Sequence, residues 1–353
     1  MEFSWSLILP IAWYAILTVA VFAYSLGDGF DLGMSTIYFI SRNDEERRYL
    51  LNSIGPVWDG NEVWLIIIFG GLFAGFPSAY AMLLSIFYMP VWILVMLYIF
   101  RGCSLEFRSK TESEKWRGFW DILFCGSGLL ISFFLGVFVG NMILGLPLAS
   151  TTPYASLSWI LFSRPYALLC GLLVTSAFAI HAITFALMKV SGDLQNRLVK
   201  RFPYFLSAFL VVYLLLGIAS ILMIPQTKGF SFSIGNFPGV PTYPLLILFM
   251  SMTLGGCCAI KTCIIKQRYG CAFLYSSFNL LILILSVVAI LFPNLLFSTV
   301  DPENSYTIYN AAASTKTLQT LLIIVLIGLP LIISYSVYIY RVFRGKTDFP
   351  SVY

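Results

Sequence analysis

The sequence predicts an all-α polytopic membrane protein with about nine transmembrane helices. Of its 353 residues, 59% are hydrophobic and 10% are charged, and the mean hydropathy is +0.89. Soluble proteins average about 25% charged residues, so this composition excludes a water-soluble fold. Apolar segments of about 20 residues, the length that crosses a membrane core of about 30 Å, recur along the chain. We expect a single transmembrane domain over residues 1–353, built as two four-helix bundles plus one peripheral helix.

The apolar segments define the helices in order. Residues 5–27 form the first, which either continues as one long helix towards Ile40 or breaks at the glycines around Asp28. Asn43 and Glu46 then have the spacing of a capping box and predict a short helix over 44–54. The other transmembrane helices are predicted at 55–75, 79–100, 119–144, 165–188, 203–224, 244–260, 271–292 and 317–340.

Basic residues are distributed unevenly between the two sides of the membrane. Eighteen of the 21 Lys and Arg residues lie in segments that share one side, which are 41–54, 101–118, 189–202, 261–270 and the C-terminal tail. The opposite side has only Arg164, Lys228 and Lys316. Because cytoplasmic loops are enriched in Lys and Arg, we expect the N-terminus outside and the C-terminus in the cytoplasm. Topology therefore explains the net charge of +5, which predicts no nucleic-acid partner.

Four acidic side chains lie in apolar segments near the start of the chain. Asp28 and Asp31 are spaced i,i+3, as are Asp59 and Glu62, so each pair shares a helix face. Arg101 ends the third helix at a similar depth, near the cytoplasmic side. A charge at the centre of a bilayer costs about 3 kcal/mol or more, so intramembrane ionisable residues commonly have a function. We expect four buried acids and one site that conducts protons or ions.

Other interpretations of these residues stay open at this stage. The acids could form a structural ion-pair network with Arg101 that holds three helices together. Trp58 and Trp64 could be interfacial belt residues. They could equally frame the planar head group of a bound molecule, with Asp59 and Asn61 beside them to fix its orientation.

Signals for metal or haem ligation are weak. The seven cysteines form no CxxC pair, and His181 is the one histidine. We interpret His181 as a packed core residue, because haem iron generally needs an axial ligand set; a His/Met pair is the alternative. No metal site and no catalytic residue is predicted in this chain, since no nucleophile–base pair, phosphate loop or nucleotide-binding motif is present.

Three segments near the start of the chain have distinctive sequences: residues 27–33 (GDGFDLG), 42–48 (RNDEERR) and 52–65 (NSIGPVWDGNEVWL). Near the other end stand 292–294 (FPN), 305–312 (SYTIYNAA) and 343–346 (FRGK). Together they closely resemble subunit II of the cytochrome bd quinol oxidases. The middle of the chain is similar mainly in helix placement and in residues 181–194.

The resemblance implies a function within a heterodimer in the bacterial inner membrane. In that family, a partner subunit I carries haems b and d, oxidises ubiquinol or menaquinol and reduces oxygen to water, which is electrogenic without pumping. Subunit II binds no haem and supplies part of the proton path from the cytoplasm. In some members it holds a structural ubiquinone or menaquinone. Small single-helix accessory subunits and membrane lipid are further partners of the complex.

The resemblance also assigns residues. Its proton path corresponds to Asp31, Asp59 and Arg101, with Asp28 adjacent. Glu62 departs from the family pattern, and we add it to the proton path because it belongs to the acid cluster described above. Quinone contact corresponds to Trp58 and Asp59, flanked by Asn61 and Trp64. The competing class is a stand-alone proton- or ion-coupled secondary transporter that uses the same carboxylates, although the second half of the chain has no repeated acid site.

Overall fold

Helices make up most of the polypeptide in the computed structural model, which describes residues 5–148, 160–227 and 242–347. The α-helices in these ranges are α1 (Trp5–Ile37), α2 (Asp44–Ile54), α3 (Trp58–Gly75), α4 (Pro77–Ile86), α5 (Tyr88–Phe107), α6 (Glu114–Leu144), α7 (Pro165–Lys189), α8 (Gly192–Thr227), α9 (Thr242–Ile265), α10 (Tyr269–Leu291) and α11 (Thr315–Val342). Short 3₁₀ turns occupy Tyr38–Ile40, Arg108–Lys110 and Pro302–Asn304. Two short strands, β1 (Asn294–Leu296) and β2 (Tyr306–Thr307), pair antiparallel.

Most of these helices have the length and composition of membrane spans. In the described part of the chain, eight pass both criteria separately. The pair α2 and α3 passes them together with a bend of 47°, which brings the number to nine. The prediction of an all-α polytopic protein with about nine transmembrane helices is confirmed.

Helix α1 is continuous through the glycines that surround Asp28. It has 33 residues, which at 1.5 Å per residue makes it about 50 Å long. This is much longer than the hydrocarbon core, so the helix must tilt or extend beyond it. Of the two predicted alternatives, the structure shows the long helix.

The helix predicted over 79–100 is instead two helices, α4 and α5, and this prediction was wrong. They separate at Phe87, whose φ of −96° and ψ of 22° fall outside the α-helical range. Pro90 has no N–H to donate to the carbonyl of Ile86, so a regular hydrogen-bond ladder cannot run through this point. Hydropathy does not show the break because both helices are apolar.

Helix α2 begins with the predicted capping box. The side chain of Asn43 accepts a hydrogen bond from the backbone N–H of Glu46 at 2.9 Å. In return, the Glu46 carboxylate accepts one from the backbone N–H of Arg42 at 2.7 Å. These bonds satisfy donors that a helix start otherwise leaves without partners.

The spans form two groups, as predicted. Helices α1, α3, α5 and α6 pack together, and α7 to α10 form the second bundle. The groups meet where α1 and α6 pack against α7, the most deeply buried span described. Small residues permit this approach: a Cβ on Gly33 of α1 would lie 2.0 Å from the backbone oxygen of Phe178 on α7. The peripheral helix α11 packs on α1 and α3.

Candidate functional site

A buried ion cluster joins three helices of the first bundle. Arg101 on α5 places its Nη1 atom 2.7 Å from Asp28 Oδ1 on α1 and 2.7 Å from Glu62 Oε1 on α3. The side chains of Arg101 and Asp28 are fully buried, whereas that of Glu62 is 24% exposed. Glu62 therefore lies at the edge of the cluster and Asp28 at its centre.

Asp31 extends the cluster one helical turn further along α1. Its side chain is fully buried, and its Oδ2 atom accepts a hydrogen bond of 2.7 Å from Asn61 Nδ2 on α3. Asn61 Oδ1 in turn accepts a hydrogen bond of 2.9 Å from the hydroxyl of Tyr340 on α11. A fourth helix thus contributes to the site, through a residue that the sequence did not single out.

Two tyrosines border the cluster on the side away from Asp31. The hydroxyls of Tyr24 on α1 and Tyr98 on α5 are hydrogen-bonded to each other. Tyr24 interacts electrostatically with Asp28, and Tyr98 with both Asp28 and Arg101. The sequence offered no signal for either residue, because tyrosine is common throughout this chain.

The charges of the cluster are unequal, with three carboxyl groups around one guanidinium. If all three were ionised, two buried negative charges would remain without a counter-charge, which is energetically costly. Buried atoms Nε and Nη2 of Arg101 and Oδ1 of Asp31 also have no hydrogen-bond partner within the described chain. Such atoms are those that ordered water satisfies. The cluster therefore combines more carboxyl groups than one guanidinium can neutralise with polar atoms that are left for water.

Asp59 does not belong to this buried cluster. Its side chain is exposed on the surface of α3, although it precedes Glu62 by three residues. The expectation of four buried acids is wrong for Asp59, and Glu62 is only partly buried. The spacing i,i+3 places two side chains on adjoining parts of a helix surface, but packing decides which of them is covered.

The four residues predicted to frame a quinone do not face a common space. Trp58 and Trp64 are six residues apart, which separates them by about 120° around the helix. Trp58 packs near Gly102 of α5, whereas Trp64 is buried in the core. Asn61 is engaged with Asp31 and Tyr340, and Asp59 is exposed. The four residues therefore have different surroundings in this chain.

A large apolar cavity lies elsewhere, between the two bundles. Its volume is about 620 Å³, and none of the four predicted quinone residues lines it. Helices of both bundles contribute to its lining, for example through Leu72, Phe138, Leu216 and Leu283. Tyr24 also lines it, so the cavity reaches the border of the ion cluster.

A second ion cluster lies where α1, α2, α5 and α6 end or begin. Asp121 on α6 accepts hydrogen bonds from the Tyr38 hydroxyl at 2.6 Å and from Arg47 Nη1 at 2.9 Å. Arg108, which is 2% exposed, bonds both Asp121 and Asp44. The residues are largely paired with one another, so this cluster fastens the helix ends together.

Metal ligation has little support in the described ranges. They contain no group of three or more His, Cys, Asp and Glu side chains arranged to hold a metal ion. His181 is fully buried, and its ring nitrogens face Ser276 and the backbone oxygen of Leu26.

Comparison with known proteins identifies the family. Residues 9–343 match the family model for cytochrome bd terminal oxidase subunit II. The chain belongs to this family. A bd oxidase subunit II sequence from Bacillus subtilis (strain 168), named cytochrome bd ubiquinol oxidase subunit 2, is 31% identical over 95% of this chain and 96% of its own length. The cytochrome bd-I ubiquinol oxidase subunit 2 of Escherichia coli (strain K12) is 28% identical over 96% of this chain and 95% of its own.

A solved structure agrees with this assignment. A chain in the structure of the bd oxidase from Geobacillus thermodenitrificans matches with a TM-score of 0.77, covering 95% of this chain and 98% of its own. At 17% identity, that match shows a shared fold. The bd oxidase subunit II resemblance is therefore confirmed, and the chain is an integral membrane subunit of an oxidoreductase complex in the bacterial inner membrane.

Proposed function

We propose that this subunit II is the haem-free partner of a haem-bearing subunit I in a quinol:oxygen oxidoreductase, and that it conducts protons from the cytoplasm towards that partner. Oxygen reduction consumes protons, and taking them from one side of the membrane makes the reaction charge-separating. The observation that carries the proposal is the cluster of Asp28, Asp31, Glu62 and Arg101, buried within the bundle.

The proposed orientation places the cluster near the cytoplasmic surface. The excess of basic residues at the ends of α1, α5, α7, α9 and α11 supports an external N-terminus and a cytoplasmic C-terminus. Asp31 lies six residues before the end of α1, and Arg101 six residues before the end of α5. Both positions correspond to a depth of about 9 Å from those helix ends.

The side chains suggest an order along the path. Glu62, at the exposed edge of the cluster, contacts Arg101, which in turn contacts Asp28. Asp59 is exposed on a stripe of α3 that is otherwise apolar, with Val63, Ile66 and Phe73. A carboxylate facing lipid is costly, so this stripe suits contact with the partner subunit. Asp59 would then pass protons to subunit I.

A bound structural quinone is the second part of the proposal. Quinone contact at Trp58 and Asp59, flanked by Asn61 and Trp64, stays a prediction of the family resemblance. The apolar cavity between the bundles has the room and lining for the isoprenoid chain of a structural ubiquinone or menaquinone.

Substitution of the buried acids tests the proton path. Asp31→Asn and Asp28→Asn keep side-chain size but cannot titrate, so each should slow oxygen consumption per haem at least about tenfold, or about 1.4 kcal/mol of barrier. Haem content of the purified complex should be retained. Asp59→Asn should act similarly, because we propose that Asp59 passes protons to subunit I. Asp193→Asn, which removes an exposed carboxylate at the start of α8, is the control.

Three results would contradict the proposal. Normal amounts of fully active Asp31→Asn and Asp28→Asn complexes would show that the acids carry no protons. Poor assembly with normal activity per haem would instead assign them a structural role, because an unpaired buried Arg101 destabilises the bundle. If the chain purifies from its native membrane without haem absorption and without a larger subunit, the alternative of a stand-alone secondary transporter would be favoured.

A further inference from the structure

The last helix reaches the proton-path residues through one hydrogen-bonded amide. Tyr340 lies in the final turn of α11 and donates its hydroxyl hydrogen to Asn61 Oδ1 at 2.9 Å. Asn61 Nδ2 donates to Asp31 Oδ2 at 2.7 Å. The three side chains come from α11, α3 and α1, and Asn61 is 5% exposed.

The backbone of α1 is shaped to admit this amide. A Cβ on Gly27 would lie 2.7 Å from Asn61 Oδ1 and 2.8 Å from its Cγ, so any larger residue at position 27 would displace the amide. Glycine thus lets the Asn61 side chain lie directly against α1. Close packing on one side and the Tyr340 hydroxyl on the other together hold it in place.

The two ends of a carboxamide make opposite hydrogen bonds. Its NH₂ group only donates and suits an ionised carboxylate, whereas its oxygen only accepts and suits a protonated carboxyl group. By donating to Oδ1, Tyr340 fixes the amide with its NH₂ group towards Asp31. Without that hydroxyl, the amide could rotate and offer its oxygen to a protonated Asp31.

We infer that Tyr340 and Asn61 are positioning residues that fix the hydrogen bonding of Asp31 and so set the pH range over which it exchanges protons. The inference rests on the proposed proton path. An amide does not titrate, so Asn61 orients Asp31 and is not itself a relay member.

Other groups around Asp31 are already accounted for. The charged groups that act on it are Arg101 from α5, Asp28 from α1 and Glu62 from α3. The titratable groups on the other helices packed on α1 have partners of their own. On α6, Asp121 bonds Tyr38 and Arg108. On α7, His181 bonds Leu26 and Ser276. Helix α10 has no charged residue. Tyr340 is therefore the group whose removal changes the Asn61–Asp31 bond without altering a charge.

Tyr340→Phe in the intact two-subunit complex tests the inference. The substitution keeps the ring, and with it the edge contact of Tyr340 with Phe30. We expect oxygen consumption per haem to fall about fivefold, the change associated with one hydrogen bond. The loss should be larger at low pH. Asp31 is then more often protonated, and it must release that proton for transfer to continue. The control is Tyr338→Phe, which removes a hydroxyl from a 64% exposed residue of the same helix and should leave the pH profile unchanged.

A double substitution shows whether Tyr340 acts through Asn61. If it does, Asn61→Ala should reproduce the altered pH profile, and adding Tyr340→Phe should change it no further. A parental pH profile in Tyr340→Phe, or additive effects of the two changes, would overturn the inference. So would a loss of assembly with unchanged activity per haem. A slow Asp31→Asn complex beside a normal Tyr340→Phe complex refutes only this inference, whereas a fully active Asp31→Asn complex refutes the proton path itself.

Discussion

At the scale of single residues, His181 is a titratable side chain whose contacts hold the two helix bundles together. Its Nδ1 atom lies 2.7 Å from Ser276 Oγ on α10, and its Nε2 atom lies 3.0 Å from the backbone oxygen of Leu26 on α1. Its ring stacks on Phe273 with centroids 4.7 Å apart. With both nitrogens engaged and no exposed surface, the imidazole joins the two bundles.

His181→Ala should therefore lower stability without changing the haem content of the complex. The substitution leaves a cavity and removes two buried hydrogen bonds, so we expect a loss of about 2–4 kcal/mol. The thermal midpoint of the detergent-solubilised complex and its haem-to-protein ratio are the two measurements. Disappearance of one haem spectrum from an assembled complex would show that this chain ligates haem.

Between elements, the contact of α6 with α7 depends on glycines that lack a side chain. A Cβ on Gly136 would lie 2.4 Å from the backbone oxygen of Cys170. Gly126 is on the same helix, but a Cβ there would meet nothing within 4 Å. The two glycines therefore differ in packing and share the same helical setting.

This pair predicts opposite effects of the same substitution. Gly136→Ala should destabilise the complex by about 1–3 kcal/mol, because a backbone atom stands in the way and the helices must move apart. Gly126→Ala should be neutral or stabilising by about 0.5–1 kcal/mol, since alanine is the better helix former. Thermal midpoints of the two purified variants can be compared directly. Equal effects would mean that close packing of α6 on α7 is not limiting.

Local sequence signals predicted the helices well and the site only in part. Length and hydropathy are properties of each segment, so they placed the spans and the capped start of α2. The exposure of Asp59 depends on how α3 turns towards its neighbours, which no local pattern contains. Tyr340 is 279 positions away from Asn61 in the chain, so only the fold brings them together.

For the molecule as a whole, orientation in the membrane decides which side supplies protons to the buried acids. The ion cluster lies towards the ends of α1 and α5 that connect to the arginine-rich segments around Arg47 and Arg108. That end of the cluster faces the cytoplasm only if the basic segments are inside. The direction of charge separation in the proposed function therefore depends on topology.

Cysteine labelling measures this topology directly. Two exposed sites lie at opposite ends of the helices: Lys110 in the turn between α5 and α6, and Glu303 in the turn between the two strands. A membrane-impermeant maleimide should label Lys110→Cys in inverted vesicles and Glu303→Cys in intact spheroplasts, because basic segments stay on the cytoplasmic side. The parent chain, whose seven native cysteines are free, gives the background. The reverse pattern would place the carboxylate cluster near the outer surface, and proton uptake from the cytoplasm through Asp28 and Asp31 would then be excluded.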